Sequence, residues 1–299
     1  MEKRAYLNII AAASLWGCIG IFLKLLTAAG LSSMEGVALR GVVAAGLYGL
    51  FLAVTDPGAL KFNPRHWYYF FGTGVCSLLF FNWCYFNAIS SSSLSVAAVL
   101  LYTSPVFVTF LSALFFREKI TPLKVGALAL TFAGCVLVTG LLPLGGQSVS
   151  FKTILFGLGA GFGYALYSIF GKFALAKYPS STVTFYTFLF STAFALPLSG
   201  LHRELYLLCD WRAIAGGVGM GVLCCIIPYL LYTEGLRCAE AGKAAIMATI
   251  EPFVASLLGI CLFREEVTPW KLLGMAAIFG AILLLNRPAG DGEDKIPKK

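Results

Sequence analysis

The residues able to do chemistry are few, and the sharpest of them is Glu251, the one carboxylate inside the run ATIEPFVASLL (248–258). Pro252 follows it at once. Proline donates no backbone hydrogen bond and disfavours helix at the preceding residue, so carbonyls are freed where the carboxylate sits. A charge near the bilayer centre costs about 3 kcal/mol and is tolerated where it faces a cavity or a partner. Protonation removes most of that cost, which makes Glu251 a candidate proton carrier or cation counter-charge. Its plainer role is an interior carboxyl, neutral or hydrogen-bonded, that fixes packing. Arg40, in ALRGVVAA (38–45), cannot shed its charge and needs an acceptor or water; Glu35 and Glu251 are the candidate partners. Facing a substrate it would grip a carboxylate through its fork, whereas the favoured structural role ties helices together or snorkels to the interface.

Aromatic side chains are the second chemical resource. Trp16 with Tyr164 and Tyr167, Trp83 and Tyr85 with Tyr229 and Tyr232, and Tyr102 fall well inside apolar runs. Rings with a polar edge suit a substrate that is part apolar and part charged, and a cation gains from their faces. The alternative is core packing or an interfacial belt, which explains Trp67, Tyr68, Tyr69 and Trp270 at run ends. Ser14, Asn82, Asn87, Thr103, Ser104, Ser168 and Thr249 add hydrogen-bonding groups at similar depth.

These residues need elements to position them, and the composition dictates which. Of 299 residues 59% are hydrophobic and 12% charged, and the mean hydropathy is +0.85, far outside the range of soluble domains. The chain is an all-α integral membrane protein. A bilayer core takes about 20 apolar residues per helical crossing. Ten such runs follow one another: 5–27, 33–54, 67–89, 94–116, 123–141, 153–175, 181–198, 213–236, 241–263 and 270–285. AISSSSLS and LRCAEAGK, between the third and fourth and the eighth and ninth runs, allow only tight turns. No room remains for a soluble catalytic domain. The nine cysteines are an odd number and sit mostly in apolar runs, so they read as small buried residues; no CxxC or His-rich metal spacing occurs, and no cofactor is expected. The opening MEKR and its apolar stretch carry Lys24 and have a later counterpart, which argues against a cleaved signal.

The net charge of +8 is informative through its distribution, not as a sign of nucleic-acid binding. With the N-terminus inside, 15 of the 22 basic residues fall at cytoplasmic ends, 6 outside and Arg40 within a run. That bias predicts both termini cytoplasmic in a multi-pass inner-membrane protein.

Sliding the chain along itself by 147 residues lays SPVFVTFLSALFFREKITPLK (104–124) over EPFVASLLGICLFREEVTPWK (251–271). The shift matches Pro105 with Pro252, Phe116-Arg117-Glu118 with Phe263-Arg264-Glu265, and Thr121-Pro122 with Thr268-Pro269. A shift of 148 pairs Lys24 with Lys172 and Ser32-Ser33 with Ser180-Ser181. The chain is two copies, 1–142 and 150–287, followed by a polar cytoplasmic tail, 288–299. Each copy holds five runs, an odd number, so the second enters the membrane upside down. Inverted repeats are a common plan of secondary transporters, although a channel can be built the same way. In this repeat Glu251 lies over Ser104, so both halves place a polar residue before the proline but one half alone supplies a carboxylate.

These features resemble the drug/metabolite transporter superfamily, in particular its EamA-type ten-helix transporters. The matching residues are LWG (15–17), ALRGVVAA with its arginine, the SP and EP steps opening Phe-rich runs, and the doubled FRE helix ends. The resemblance implies one ten-helix bundle, a central cavity, and transport driven by ion gradients or by the substrate's own gradient. Family members carry amino acids, metabolites, drugs and small cations, so the cargo is left open.

Glycines concentrate in FGLGAGFGYAL (156–166) and AGGVGMGVL (215–223), which lets helices approach and slide. No strand precedes GLGAGFG and no GKS or GKT step exists, so the chain has no phosphate cradle and direct ATP hydrolysis is not expected. A membrane enzyme would need nucleophile, base and acid in one pocket; the two histidines, His66 and His202, lie in loops on opposite sides. The expectation is a secondary transporter of a small amphipathic metabolite, an amino acid or related compound, by alternating access and in the export direction. An organic-cation importer or exchanger built on the rings and Glu251 is the alternative. Lys24 and Lys172 are expected to snorkel, Glu234 to pair with Arg237 at the surface, and Glu118 and Glu265 to cap or hinge helix ends. The expected partners are a small-molecule substrate, the lipid bilayer and a coupling proton, with the chain a monomer or homodimer.

Overall fold

A computed structural model describes residues 2–140 and 149–285, and every described regular element is helical. The first crossing is α1 (Glu2–Trp16) and α2 (Ile19–Ala28), separated at Gly17-Cys18. After α3 (Ser33–Thr55) comes a rod of α4 (Trp67–Phe71), a stretch of wide π-type turns over Gly72–Leu79, and α5 (Phe80–Ser91). The fourth crossing divides into α6 (Leu94–Leu101) and α7 (Ser104–Phe116), and α8 (Pro122–Val138) closes the first half. The second half repeats the plan: α9 (Phe151–Leu175), α10 (Ser180–Ser199), then α11 (Trp211–Gly219), π-type turns over Met220–Ile226, and α12 (Ile227–Cys238). It ends with α13 (Ala241–Ala248), α14 (Ile250–Phe263) and α15 (Pro269–Leu285). Seven of these stretches are long and apolar enough to cross a bilayer. The two 17-residue helices α8 and α15 and the rod from Trp67 to Ser91 bring the crossings to ten. The ends differ from the expected runs by a few residues; residues 141–148 and 286–299, which hold the last positions of both expected repeats and the polar tail 288–299, lie outside the described residues.

Local sequence sets the helix ends. Ser32, Ser93, Thr121 and Ser150 each accept a backbone N–H three residues on, the arrangement that satisfies the orphan donors of a helix start. Glu35 returns the favour by accepting from the Ser32 N–H at 2.7 Å, which completes a capping box. Arg117 and Arg264 end α7 and α14 in the left-handed conformation, with φ of 57° and 53°, at equivalent positions of the two halves.

The packing displays the inversion. α3 lies against α10 and α8 against α15, each helix meeting its own counterpart; α1 packs on α12 just as α9 packs on α5. The whole is an all-α bundle of ten transmembrane helices in two inverted five-helix repeats. At the α8–α15 crossing a Cβ on Gly134 would sit 2.9 Å from the Gly274 carbonyl oxygen, so glycine is what permits that backbone approach. The face where α1 begins and α15 ends is called the near face below, and the other the far face.

Candidate functional site

The centre of the bundle is where helices are interrupted. Pro252 cannot bond back to Ala248, and the ninth crossing breaks at Thr249, so α14 starts in mid-membrane with Glu251 in its first turn. The fourth crossing breaks at Tyr102-Thr103, and α7 starts with Ser104 and Pro105. A helix start presents unbonded N–H groups and positive dipole to its first turn, a favourable place for a carboxylate. The first crossing breaks beside them: a Cβ on Gly17 would fall 3.0 Å from the Glu251 carbonyl oxygen and 2.8 Å from the Val254 Cβ.

Two chambers adjoin this point and share Tyr164. The first holds Trp16, Ser77, Phe81, Tyr167, Tyr229 and Tyr232; the second holds Tyr102, Ser104, Pro105, Ala245, Thr249 and Glu251. In this conformation each leaves room for about one water-sized group. Trp16 stands edge-on to Tyr164 and Tyr229, ring centres 6.2 and 5.1 Å away, and Tyr167 stands edge-on to Tyr229 at 5.0 Å. Tyr167 pairs with Thr233 at 2.6 Å and Tyr232 with Ser168 at 2.8 Å, which fixes both rings. Two donors in the aromatic chamber are unspent: Trp16 Nε1 and Ser77 Oγ are buried and meet no hydrogen-bond partner among the described residues.

Among the described residues no hydrogen bond or ion pair engages the Glu251 carboxylate, which lines its chamber unpaired. Arg40 donates to Asn82 Oδ1 at 3.0 Å, and Asn82 in turn donates to the Leu78 carbonyl at 2.6 Å. Arg40 lines neither chamber, but both it and Glu251 lie within electrostatic reach of Tyr229, which lines the first. The expected partner Glu35 is instead committed to its capping box. Asn82 rather than a carboxylate holds Arg40, and among the described residues no ion pair compensates the guanidinium's charge.

Seven of the eight sequence-selected binding residues gather here. Trp16, Tyr102, Tyr164, Tyr167, Tyr229 and Glu251 line the chambers, and Tyr85 packs against the same buried cluster as Tyr164, its ring 5.9 Å from that of Phe81. Trp83 does not: it is 47% exposed on the outside of the bundle, edge-on to Phe156. Ser77 is the residue the sequence reading passed over. The signal was present, because GTGV at 72–75 lies over GMGV at 219–222 and both crossings widen into π-type turns there; Ser77, within the first, lines the aromatic chamber. Among the described residues no group of three His, Cys, Asp or Glu side chains gathers to hold a metal ion.

The near face is closed by a latch. Glu118, just past the end of α7, accepts from Lys172 at 2.7 Å and from the amides of Ala241 at 2.7 Å and Gly242 at 3.1 Å. It thereby caps α13 from another helix, and Lys172 binds this carboxylate and the Ala239 carbonyl rather than snorkelling. Lys24 is exposed, and its ammonium sits 3.1 Å over the Phe263 ring. Glu234 pairs at the surface with Arg237 at 3.8 Å, as expected.

A ten-helix inverted repeat with broken helices meeting at a central cavity defines a membrane protein of the transporter class. The chain belongs to the EamA-like transporter family, whose description matches residues 3–140 and 151–287. It is 32% identical over 203 residues to an uncharacterized transporter of Archaeoglobus fulgidus, covering 68% of this chain and 71% of that one. It is 27% identical over 237 residues to the threonine/homoserine exporter RhtA of Escherichia coli K12, covering 78% and 75%. A solved crystal structure superposes with a TM-score of 0.79 at 18% identity, covering 96% of this chain and 97% of the other, which supports the fold.

Proposed function

We propose that the protein is a secondary transporter of a small amphipathic metabolite, an amino acid or close relative, moved by alternating access across the inner membrane in the export direction. Both termini are then cytoplasmic and the near face is the cytoplasmic one, in keeping with the positive-inside bias. The observation that carries the reading is the unpaired Glu251 carboxylate at the mid-membrane start of α14, facing an aromatic cavity on which Arg40 also acts. A substrate ammonium suits Glu251 and the ring faces; a substrate carboxylate suits the Arg40 fork. Trp16 Nε1 and Ser77 Oγ are donors for a hydroxyl or carbonyl on the substrate's remaining part. When the cavity is empty of cargo, Glu251 can carry a proton instead, which makes the proton the coupling ion.

Organic-cation import or exchange is the second reading, favoured by the number of rings around Trp16. Arg40 argues against it, because an uncompensated guanidinium repels a cargo that brings no anion.

Uptake of labelled amino acids and amines into inside-out vesicles at two pH values, for the native protein and Glu251→Gln, tests the assignment. Loss of proton-driven flux with retained exchange assigns Glu251 to coupling; loss of all substrate binding assigns it to recognition. Unchanged proton-driven flux in Glu251→Gln removes the reading.

A further inference from the structure

The two halves are nearly the same sequence motif in two different states. At the near face Glu118 is docked on Lys172 and on the first amides of α13. Its repeat equivalent at the far face is Glu265, and the equivalents of Lys172, Ala241 and Gly242 are Lys24, Leu94 and Ser95. Among the described residues none of these contacts is made. Glu265 is held by Lys271 at 2.8 Å, and Lys24 rests 3.1 Å over Phe263. The near-face counterparts are displaced in the complementary sense. Lys124, equivalent to Lys271, has turned away from Glu118 and pairs with Glu240 at 2.6 Å. Lys172 lies 5.2 Å from the ring of Phe116, the equivalent of Phe263.

The helix packing follows the same asymmetry. α7 packs on α13 and along α9, whereas α14 packs on α1 beside Gly17 and makes no comparable packing with α6 or α2 at the far face. The receiving groups are nonetheless present there. Ser93 caps α6 by accepting from Val96, so the amides of Leu94 and Ser95, the first of that eight-residue helix, carry no hydrogen bond among the described residues. Both Glu118 and Glu265 are aimed by the same backbone device, a left-handed arginine followed by an amide bonded back to residue 112 or 259.

We propose that Lys24 and the amides of Leu94 and Ser95 form the receiving site for the Glu265 carboxylate, and that the transport cycle exchanges this far-face latch for the near-face one. In the exchanged state Lys271 releases Glu265 as Lys124 takes up Glu118, and Lys172 moves onto Phe116 as Lys24 leaves Phe263. Glu118 and Glu265 are thus positioning residues: neither touches cargo, and each holds one face shut while the other is open. The exchange rests on the alternating-access part of the reading above and is independent of what the cargo is.

Amide hydrogen exchange of the full chain in nanodiscs, without substrate, tests it. Glu118→Gln removes the near-face latch, so the segment holding Ala241 and Gly242 loses protection while the segment holding Leu94 and Ser95 gains it, by about tenfold for a charge-assisted bond. The gain vanishes when Glu265→Gln is added. Lys172→Met opens the near face by a second route and gives the same pattern should Glu118→Gln fold poorly. Absence of the gain at 94–95 in both single variants, or its persistence in the double variant, overturns the latch exchange. Failure here with intact Glu251-dependent flux leaves the cargo assignment standing; the reverse pattern leaves the latch standing.

Discussion

The Lys172 ammonium lies 2.7 Å from the Glu118 carboxylate, whereas their counterparts Lys24 and Glu265 engage Phe263 and Lys271 instead. Burial works to raise the Glu118 carboxyl, but Lys172 and the amides of Ala241 and Gly242 outweigh it and hold the group below its ordinary value of 4.5. A carboxyl whose folded value lies below its unfolded one lends stability that is complete above the unfolded value and lost as pH falls through the folded value. Acid therefore releases the near-face latch at a pH below 4.5. Thermal unfolding measured against pH is expected to show a step there in the native protein and none in Glu118→Gln. The same variant should lose about 2 kcal/mol at neutral pH, the worth of a hydrogen-bonded charge.

Arg40 separates the two cargo readings. Arg40→Lys keeps the charge but not the fork that bonds Asn82, and a lysine is a poor bidentate partner for a carboxylate. If the cargo brings a carboxylate, its apparent affinity falls by about tenfold or more, the loss of one good charged hydrogen bond. Amines without a carboxylate change little. Counterflow with paired amino acids and their decarboxylated amines provides the comparison, and equal effects on both members would place Arg40 in a structural role.

Much of this arrangement was legible in the residue order, for a physical reason. Hydrocarbon forbids unbonded backbone, so apolar length and Pro or Gly breaks mark crossings almost directly, and an odd-numbered repeat fixes the inversion. Glu251 stood out because the bilayer makes a charge expensive. Trp83 misled because an aromatic ring is equally at home facing lipid or cavity, and a helix whose turns widen to the π type rotates its faces away from the 3.6-residue period. The latch was half visible: the equivalence of Lys24 and Lys172 is in the sequence, but which of the two is paired depends on the conformation, and symmetric sequence cannot specify which face is shut.

Ser77 offers a test in which stability and function part company. Ser77 is 1% exposed and its hydroxyl meets no partner among the described residues, so burying it carries a cost that Ser77→Ala removes. The alanine variant should melt no lower than the native protein and by up to about 1 kcal/mol higher. If the hydroxyl serves the cargo, the same variant loses discrimination between threonine and its isostere valine in counterflow. Trp16→Phe, which deletes the second unspent donor, should act in the same direction.

Gly17 sets how closely the first crossing can approach the start of α14. An added Cβ would meet Val254 Cβ at 2.8 Å and Cγ1 at 2.9 Å, distances that ordinary packing does not reach. Gly17→Ala must push α1 away from Glu251 or distort α14, at a cost of about 1–3 kcal/mol for overpacking. Alanine at 254 removes the Cγ1 contact but keeps the Val254 Cβ at 2.8 Å, and the Glu251 carbonyl oxygen stays 3.0 Å away, so Val254→Ala should relieve the clash only in part. The double variant is expected to recover a minor part of the stability lost by Gly17→Ala, measured as unfolding in detergent against both single variants. Recovery of stability without recovery of transport would show that the spacing between Trp16 and Glu251, and not merely the fit of the two helices, is what the glycine maintains.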